Sequence, residues 1–124
     1  MFIDHAVKSL TEYKTMEPDW DGHGSFVPPP VCMDSAIEFL KGLEVAASPN
    51  IKCPGTSLSE INVELYWKRP SVWVAVFFEI DTDDKLDIYA IWIENGRLIW
   101  DCEAGEDVQV MIKAFSELAW LDNL

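Results

Sequence analysis

The hydrophobic positions in the first part of the chain recur every three or four residues. Residues at this spacing share one face of a helix, and the first such set is Ile3, Ala6, Val7, Leu10 and Tyr13. This helix ends before Pro18, because the residue before a proline is pushed out of helical geometry. A second helix is predicted over 31–47, with the apolar stripe Met33, Ala36, Ile37, Leu40 and Leu43.

From residue 60 onward the apolar positions follow a period of two. A half-buried strand is predicted over 60–68, where polar residues alternate with Ile61, Val63, Leu65 and Trp67. A second strand over 71–80 is apolar on both faces, so we expect it to be central and covered on both sides. The cover on the second face could be a helix, a loop or a second copy of the chain.

A hairpin and a last helix complete the pattern. A third strand over 86–94 leads into Asn95-Gly96, the pair that favours a type I′ turn, and then into a fourth strand over 97–102. Glu94 and Arg97 should face each other beside this turn. Residues 48–59 are predicted as a loop. The last helix spans 106–121, with the apolar stripe Val108, Met111, Ile112, Phe115, Leu118 and Ala119.

These elements predict an α+β fold in the order α-α-β-β-β-β-α, with two helices before an antiparallel four-stranded meander and one helix after it. Residues 1–124 match the usual length of one globular domain. Hydrophobic residues make up 49% of the chain and aromatic residues 12%, which argues against disorder.

The acidic residues change the range of functions to be considered. The chain has 22 Asp plus Glu against 9 Lys plus Arg, a formal net charge of −13. Direct binding to nucleic acid or to an anionic membrane is disfavoured, because neutralising phosphates needs Lys and Arg. A basic protein that itself binds nucleic acid is a compatible partner.

The charge is concentrated in one stretch. Residues 79–107 hold ten acidic residues and two basic ones, a net charge of −8. We interpret this stretch as a docking face that imitates phosphate, although plain solubility is the simpler explanation. An exposed Trp, or Tyr66, beside these acids would dominate an interface. The predicted partner-binding residues are Asp81, Asp83, Asp84, Asp87, Glu94, Asp101 and Glu103.

The sequence also bears on the compartment. No basic segment followed by an apolar one opens the chain, and the longest unbroken apolar run has seven residues, over 72–78. The cysteines Cys32, Cys53 and Cys102 are odd in number and widely spaced, which favours a reducing environment over a disulfide scaffold. We expect a soluble protein of the bacterial cytoplasm, encoded by the cell, a phage or another mobile element.

Candidate chemistry is sparse. Asp21 and His23 could hold a metal ion with a third ligand, but no third ligand can be identified in the sequence. We therefore predict that Trp20, Asp21, Gly22 and Gly24 form a structural loop in which the glycines supply unusual backbone angles and Asp21 accepts backbone N–H groups. Trp20 should place this loop against the core. The sequence predicts no catalytic residue, no metal ligand and no cofactor.

One segment resembles a known group of proteins. Trp20-Asp21-Gly22-His23-Gly24, followed by prolines and a helix, resembles a poorly characterised group of small bacterial and phage proteins with a W-D-G-x-G loop. The resemblance covers about residues 15–67, and only the five-residue loop is specific. It implies a bacterial or mobile-element origin, and it transfers no catalytic residue, because the group has no established activity.

The leading hypothesis is a small acidic non-enzymatic inhibitor that blocks the nucleic-acid-binding surface of a basic protein, such as a nuclease, an effector or a toxin. Its concrete versions are a phage anti-defence protein, DNA-mimicking and anti-CRISPR-like, and a toxin-immunity protein. One alternative is a small hydrolase or metal-dependent enzyme centred on residues 20–24, which metal analysis and a His23→Ala variant would reveal. Another is a structural protein that self-associates as a homodimer through its apolar sheet face, which light scattering would detect.

Charge reversal at Asp83, Asp84 and Asp87 is expected to weaken binding to a basic partner and to flatten its salt dependence, because salt screens the long-range attraction. The measurement is the affinity for the partner over a range of salt concentrations. An unchanged affinity in this triple variant would contradict the hypothesis of a docking face at these residues.

Overall fold

The computed structural model of the chain describes residues 3–24, 26–46 and 51–118. Two helices come first, then five strands and a last helix: α1 (Asp4–Tyr13), α2 (Pro30–Ala46), β1 (Gly55–Leu58), β2 (Asn62–Arg69), β3 (Val72–Ile80), β4 (Leu86–Glu94), β5 (Arg97–Gly105) and α3 (Val108–Ser116). The α+β class and the predicted helices agree with this order. The last helix was predicted over 106–121 but begins at Val108, after the N-cap Asp107, and ends at Ser116, so Glu117 and Leu118 are not helical. Residues 119–121 lie outside the described residues.

The sheet is an antiparallel meander of five strands in the order β1-β2-β3-β4-β5, so the prediction of four strands was wrong. The additional strand, β1, falls inside the predicted loop 48–59. Its four residues are too few and too polar to show a period of two, and it exists because it pairs with β2, from Gly55 opposite Tyr66 to Leu58 opposite Val63. The Trp67 indole N–H also donates to the Lys52 carbonyl, at 2.8 Å, and holds the chain before β1 against β2.

The β4–β5 hairpin has the predicted turn. Asn95 and Gly96 have φ angles of +53° and +77°, the left-handed pair that a type I′ turn requires, and Glu94 lies opposite Arg97. Farther along the hairpin the register shifts twice, between Ile88 and Tyr89 and between Trp92 and Ile93. These irregularities are of the kind that increases the twist of an edge strand.

The core forms between the helices and one face of the sheet. Phe115 of α3 lies at its centre, with its ring centroid 5.2 Å from that of Phe39, 5.8 Å from that of Trp67 and 5.6 Å from that of Trp100. Residues from all three helices join this single buried cluster with alternate residues of the strands, among them Val63, Leu65, Val74, Val76, Phe78, Ile88 and Ala90. One apolar position of the predicted alternation, Ile61, lies instead in the β1–β2 turn with 63% of its surface exposed.

The second face of the sheet has no helix over it among the described elements. β3 is the central strand, as predicted, but its residues on this face, Trp73, Ala75 and Phe77, stand outside the buried cluster that the helices form. No described helix covers this face of β3, although Ala75 is fully buried there and Trp73 and Phe77 are half-buried. The predicted cover by a loop or a second copy stays a prediction. A partly exposed apolar sheet face remains.

Replacing Phe115 with alanine is expected to destabilise the fold by about 3–5 kcal/mol, because it removes a fully buried ring and leaves a cavity among three aromatic neighbours. The measurement is the free energy of unfolding in urea. Phe26→Ala is the matched control, since 69% of Phe26 is exposed, and its effect should stay within about 0.5 kcal/mol. Equal losses in the two variants would contradict this description of the core.

Candidate partner-binding face

We call the helix-free side of the sheet the open face. Successive residues of a strand point to opposite sides, and paired residues on neighbouring strands share a side, so the register defines this face. Its residues are Glu64, Tyr66, Lys68, Trp73, Ala75, Phe77, Glu79, Asp87, Tyr89, Ile91, Ile93, Leu98, Asp101 and Glu103.

Aromatic and aliphatic side chains occupy the middle of the open face. The rings of Phe77 and Tyr89 stack with centroids 4.9 Å apart, and Trp73 meets Phe77 edge-on at 6.2 Å. Tyr66 lies across β1, where its ring occupies the place that a side chain at Gly55 would fill. Most of these residues are half-buried by one another, and Leu98, near the β4–β5 turn, is 57% exposed. Together they form a contiguous apolar surface.

Carboxylates frame this apolar surface. They are Glu64, Glu79, Asp87, Asp101 and Glu103, whereas Lys68 is the one cation among the described strand residues of the open face. The Trp73 side chain donates a hydrogen bond to Glu64, and the Tyr89 hydroxyl donates one to Glu79. The carboxylates are thus held in position by the same aromatic residues that they surround.

The packing of the face alters two pKa values. Burial raises the pKa of Glu64 above its ordinary value, against the opposing effect of the hydrogen bond from Trp73. Burial, together with the negative charge of Glu79, raises the pKa of Tyr89 to about 12. Both shifts follow first from removing an ionisable group from water, and for Tyr89 also from the neighbouring carboxylates.

The structure divides the seven predicted partner-binding residues among three places. Asp87, Asp101 and Glu103 lie on the open face. Asp81, Asp83 and Asp84 lie in the turn between β3 and β4, at one end of that face. Glu94 lies at the opposite end, opposite Val72 on the helix side of the sheet. Sequence proximity therefore grouped residues that the fold separates, and it missed Glu64, which β2 contributes.

Asp81 has a structural role in the β3–β4 turn. The Asp81 carboxylate accepts hydrogen bonds from the backbone N–H groups of Asp83, at 2.8 Å, and Lys85, at 3.0 Å. Asp84 has a left-handed φ of +59°, which aspartate tolerates better than most residues. Asp81 thus shapes the turn, while Asp83 and Asp84 are exposed beside it.

The loop over 20–24 has the internal structure that was predicted. Asp21 accepts a hydrogen bond from the His23 backbone N–H at 2.9 Å, and Gly22 and Gly24 have φ angles of +76° and +77°. The prediction that Trp20 places this loop against the core was wrong. Trp20 lies outside the buried cluster and donates its indole N–H to the Phe26 carbonyl at 3.0 Å.

Sequence reasoning also missed a neighbouring residue of this loop. Asp19 accepts a hydrogen bond from the Gly24 backbone N–H at 2.6 Å. Asp21 and Asp19 therefore both bond backbone groups of their own loop.

The cysteine thiols have raised pKa values, and the acidic side chains are not grouped as metal ligands in the described residues. Burial raises the pKa of Cys32 to about 11, with a smaller effect from Glu79, so this thiol is protonated in the core at neutral pH. Burial and the carboxylates of Asp101 and Glu103 raise the pKa of Cys102 as well. Within residues 3–24, 26–46 and 51–118, no group of three or more His, Cys, Asp or Glu is arranged to hold a metal ion.

Comparison with protein-family models, with curated proteins and with solved structures finds no match to this chain. In the described part of the chain, no helix has both the length and the apolar character needed to cross a membrane. Function is therefore inferred from the geometry and charge of the open face.

Replacing Glu64 with glutamine is expected to raise the free energy of unfolding at about pH 7. The folded state raises the pKa of Glu64 above its ordinary value of 4.5, so stability falls as the pH rises through the interval between the two values. Glutamine has no charge to desolvate and can still accept a hydrogen bond from Trp73.

The measurement is urea unfolding at about pH 7 and about pH 4, since the advantage of the variant should shrink when Glu64 itself is protonated. Glu60→Gln is the control, because it removes the same charge from an exposed position in the β1–β2 turn. A Glu64 variant that gains no more stability than the Glu60 variant would contradict the desolvation of this carboxylate.

Proposed function

We propose that this protein is a small acidic non-enzymatic inhibitor that binds a basic, nucleic-acid-binding protein through its open face. The observation that carries the proposal is the combination of a contiguous apolar surface with a frame of five carboxylates on one helix-free side of the sheet. A contiguous, partly exposed apolar surface rimmed by polar residues is typical of an interaction site. The negative charge of the carboxylates favours a positively charged partner.

The apolar centre supplies affinity. Aromatic residues dominate the binding energy of protein interfaces when they lie near the centre and are surrounded by groups that exclude water. Trp73, Phe77 and Tyr89 have this arrangement, since their rings contact one another and polar residues surround them. Because these rings are already packed together, a partner would have little side-chain motion to arrest on binding.

The frame of carboxylates supplies specificity and speed. Complementary charge raises the rate of association and suppresses partners of the wrong sign. Asp83 and Asp84, in the exposed turn at one end of the open face, extend the negative field beyond the frame. A surface that normally binds nucleic acid carries Lys and Arg that neutralise phosphates, and these groups would pair with the carboxylates instead.

Charge also discriminates between this proposal and self-association. Two open faces brought together would oppose five carboxylates to five, with one Lys68 from each copy to offset them. Like charges at an interface cost free energy, so a cationic partner suits the face better than a second copy does. Enzymatic chemistry at residues 20–24 has less support, because Asp19 and Asp21 hydrogen-bond the backbone of their own loop.

The proposal is tested by capture and competition. The full chain is immobilised, a bacterial lysate is passed over it at low and high salt, and the captured protein is identified and purified. We expect a basic protein whose affinity for its own nucleic acid falls when the inhibitor is added. A captured protein that binds the chain and its nucleic acid simultaneously would overturn the inhibitory role.

Neutralising three carboxylates of the open face, as D87N/D101N/E103Q, is expected to weaken binding to that partner by roughly tenfold to a hundredfold and to reduce its salt dependence. The measurement is titration calorimetry with the purified partner over a range of salt concentrations. The matched control is E12Q/E17Q/E117Q, which changes the net charge equally at exposed positions outside the sheet.

The control should retain most of the affinity, because charges far from the interface are screened. Equal losses in the two triple variants would show that net charge alone drives binding and would contradict a specific open face. Light scattering of the wild-type chain completes the test, since a stable dimer that the partner does not dissociate would favour self-association instead.

A further inference from the structure

A small pocket with positive charge lies at the end of the sheet opposite the acidic β3–β4 turn. It has a volume of about 220 Å³ and is lined by the end of β2 and by the segment before β1. The lining residues that matter here are Lys52, Cys53, Tyr66, Trp67, Lys68 and Arg69. No carboxylate of the described residues lines this pocket, although the chain contains 22 Asp and Glu residues.

The three cations of the pocket are unusual in this chain. Lys52, Lys68 and Arg69 are three of only 9 basic residues, and all three are exposed. None of them forms an ion pair with a carboxylate of the described residues, whereas Lys14 pairs with Asp34 at 2.6 Å. Three cations that line one pocket and pair with no carboxylate of the described residues are available to attract an anion.

The backbone of the pocket is fixed. The Trp67 indole bonds the Lys52 carbonyl at 2.8 Å, which ties the segment carrying Lys52 and Cys53 to β2. Tyr66 lies across Gly55 in the same region and forms part of the wall. Lys68 and Arg69 follow on β2, where they pair with Trp73 and Val72 of β3. The backbone positions of these two cations are therefore set by the sheet, and that of Lys52 by the bond from Trp67.

The pocket is far from the acidic β3–β4 turn. β3 spans nine residues between the β2–β3 turn, next to Arg69, and the acidic β3–β4 turn. At about 3.3 Å per residue the two ends are roughly 27 Å apart. Salt screens exposed charges over about 8 Å at physiological ionic strength, so the acidic turn does little to repel an anion at the pocket.

We propose that this pocket binds a phosphate group. All three cations line the pocket, Lys68 from the open face and Arg69 from the other side of β2. A guanidinium can donate paired hydrogen bonds to phosphate oxygens, and the Lys ammonium groups in the same lining match an anion of more than one charge. The volume suits a single phosphate or pyrophosphate group better than a whole drug-sized ligand, for which pockets begin at about 300 Å³. The phosphate could belong to a small free compound or to the backbone of a nucleic acid. This site does not depend on the function of the open face.

Titration calorimetry of the full chain with sodium pyrophosphate, and separately with a short single-stranded oligonucleotide, tests the proposal. We expect saturable binding of at least one probe. The variant K68Q/R69Q should weaken it by roughly tenfold or more, because charge-assisted hydrogen bonds are lost. The matched control K41Q/K85Q removes two exposed cations outside the pocket and should bind as the wild type does.

The rate at which Cys53 is alkylated reports on binding at the pocket itself. It lines the pocket and is exposed, whereas Cys32 is buried and Cys102 is half-buried outside it. A bound phosphate should slow alkylation of Cys53, as followed by mass spectrometry, without slowing that of Cys102. The K68Q/R69Q variant should lose this protection while unfolding at the same temperature as the wild type.

The two probes distinguish the sources of the phosphate. Saturable binding of pyrophosphate with little response to the oligonucleotide supports a small free compound, and tighter binding of the oligonucleotide supports a nucleic acid backbone. If neither probe binds at millimolar concentration, or if K68Q/R69Q and K41Q/K85Q bind equally well, the proposal is overturned.

Discussion

A sheet has two faces, and three helices on the same side of it cover only one. The aromatic cluster around Phe115 uses α2, α3, β2 and β5 together, so the helices are committed to that side. The other side must then either be polar or remain available for a partner. In β3 it is not polar, because Trp73 and Phe77 lie there. The fold of this protein therefore leaves an apolar surface that its own described elements do not bury, and the functional proposal follows from that constraint.

The sequence predicted the elements that have a strong period and missed what depends on pairing. The stripe of α2, the stripe of α3 from Val108 to Phe115, the alternation of β2 from Val63 onward and the Asn95-Gly96 turn are local properties, and they are confirmed. β1 is defined by its partner strand, which no window of four residues can reveal. The composition of the open face also depends on strand pairing, so the sequence predicted it only in part. Asp87, Asp101 and Glu103 share a face because of strand register, and Glu64 joins them from a distant strand.

The distribution of charge along the strands links the two proposals. At one end of the sheet lie Asp81, Asp83 and Asp84, and at the other lie Lys68 and Arg69. A net charge of −13 suggests that the whole surface repels anions, but carboxylates frame the open face whereas three cations line the pocket near β1. The separation is possible because a strand of nine residues is longer than the distance over which salt screens exposed charge.

The register shifts in the β4–β5 hairpin affect how readily copies of a protein with an uncovered apolar face can aggregate. β5 is the last strand of the sheet, and a long, regular edge strand offers unpaired backbone groups to other molecules. The two irregularities increase its twist, and Asp101 and Glu103 place negative charge along it. These features disfavour the addition of strands from neighbouring copies at this edge. An apolar face can therefore remain uncovered by helices beside an edge that resists assembly into aggregates.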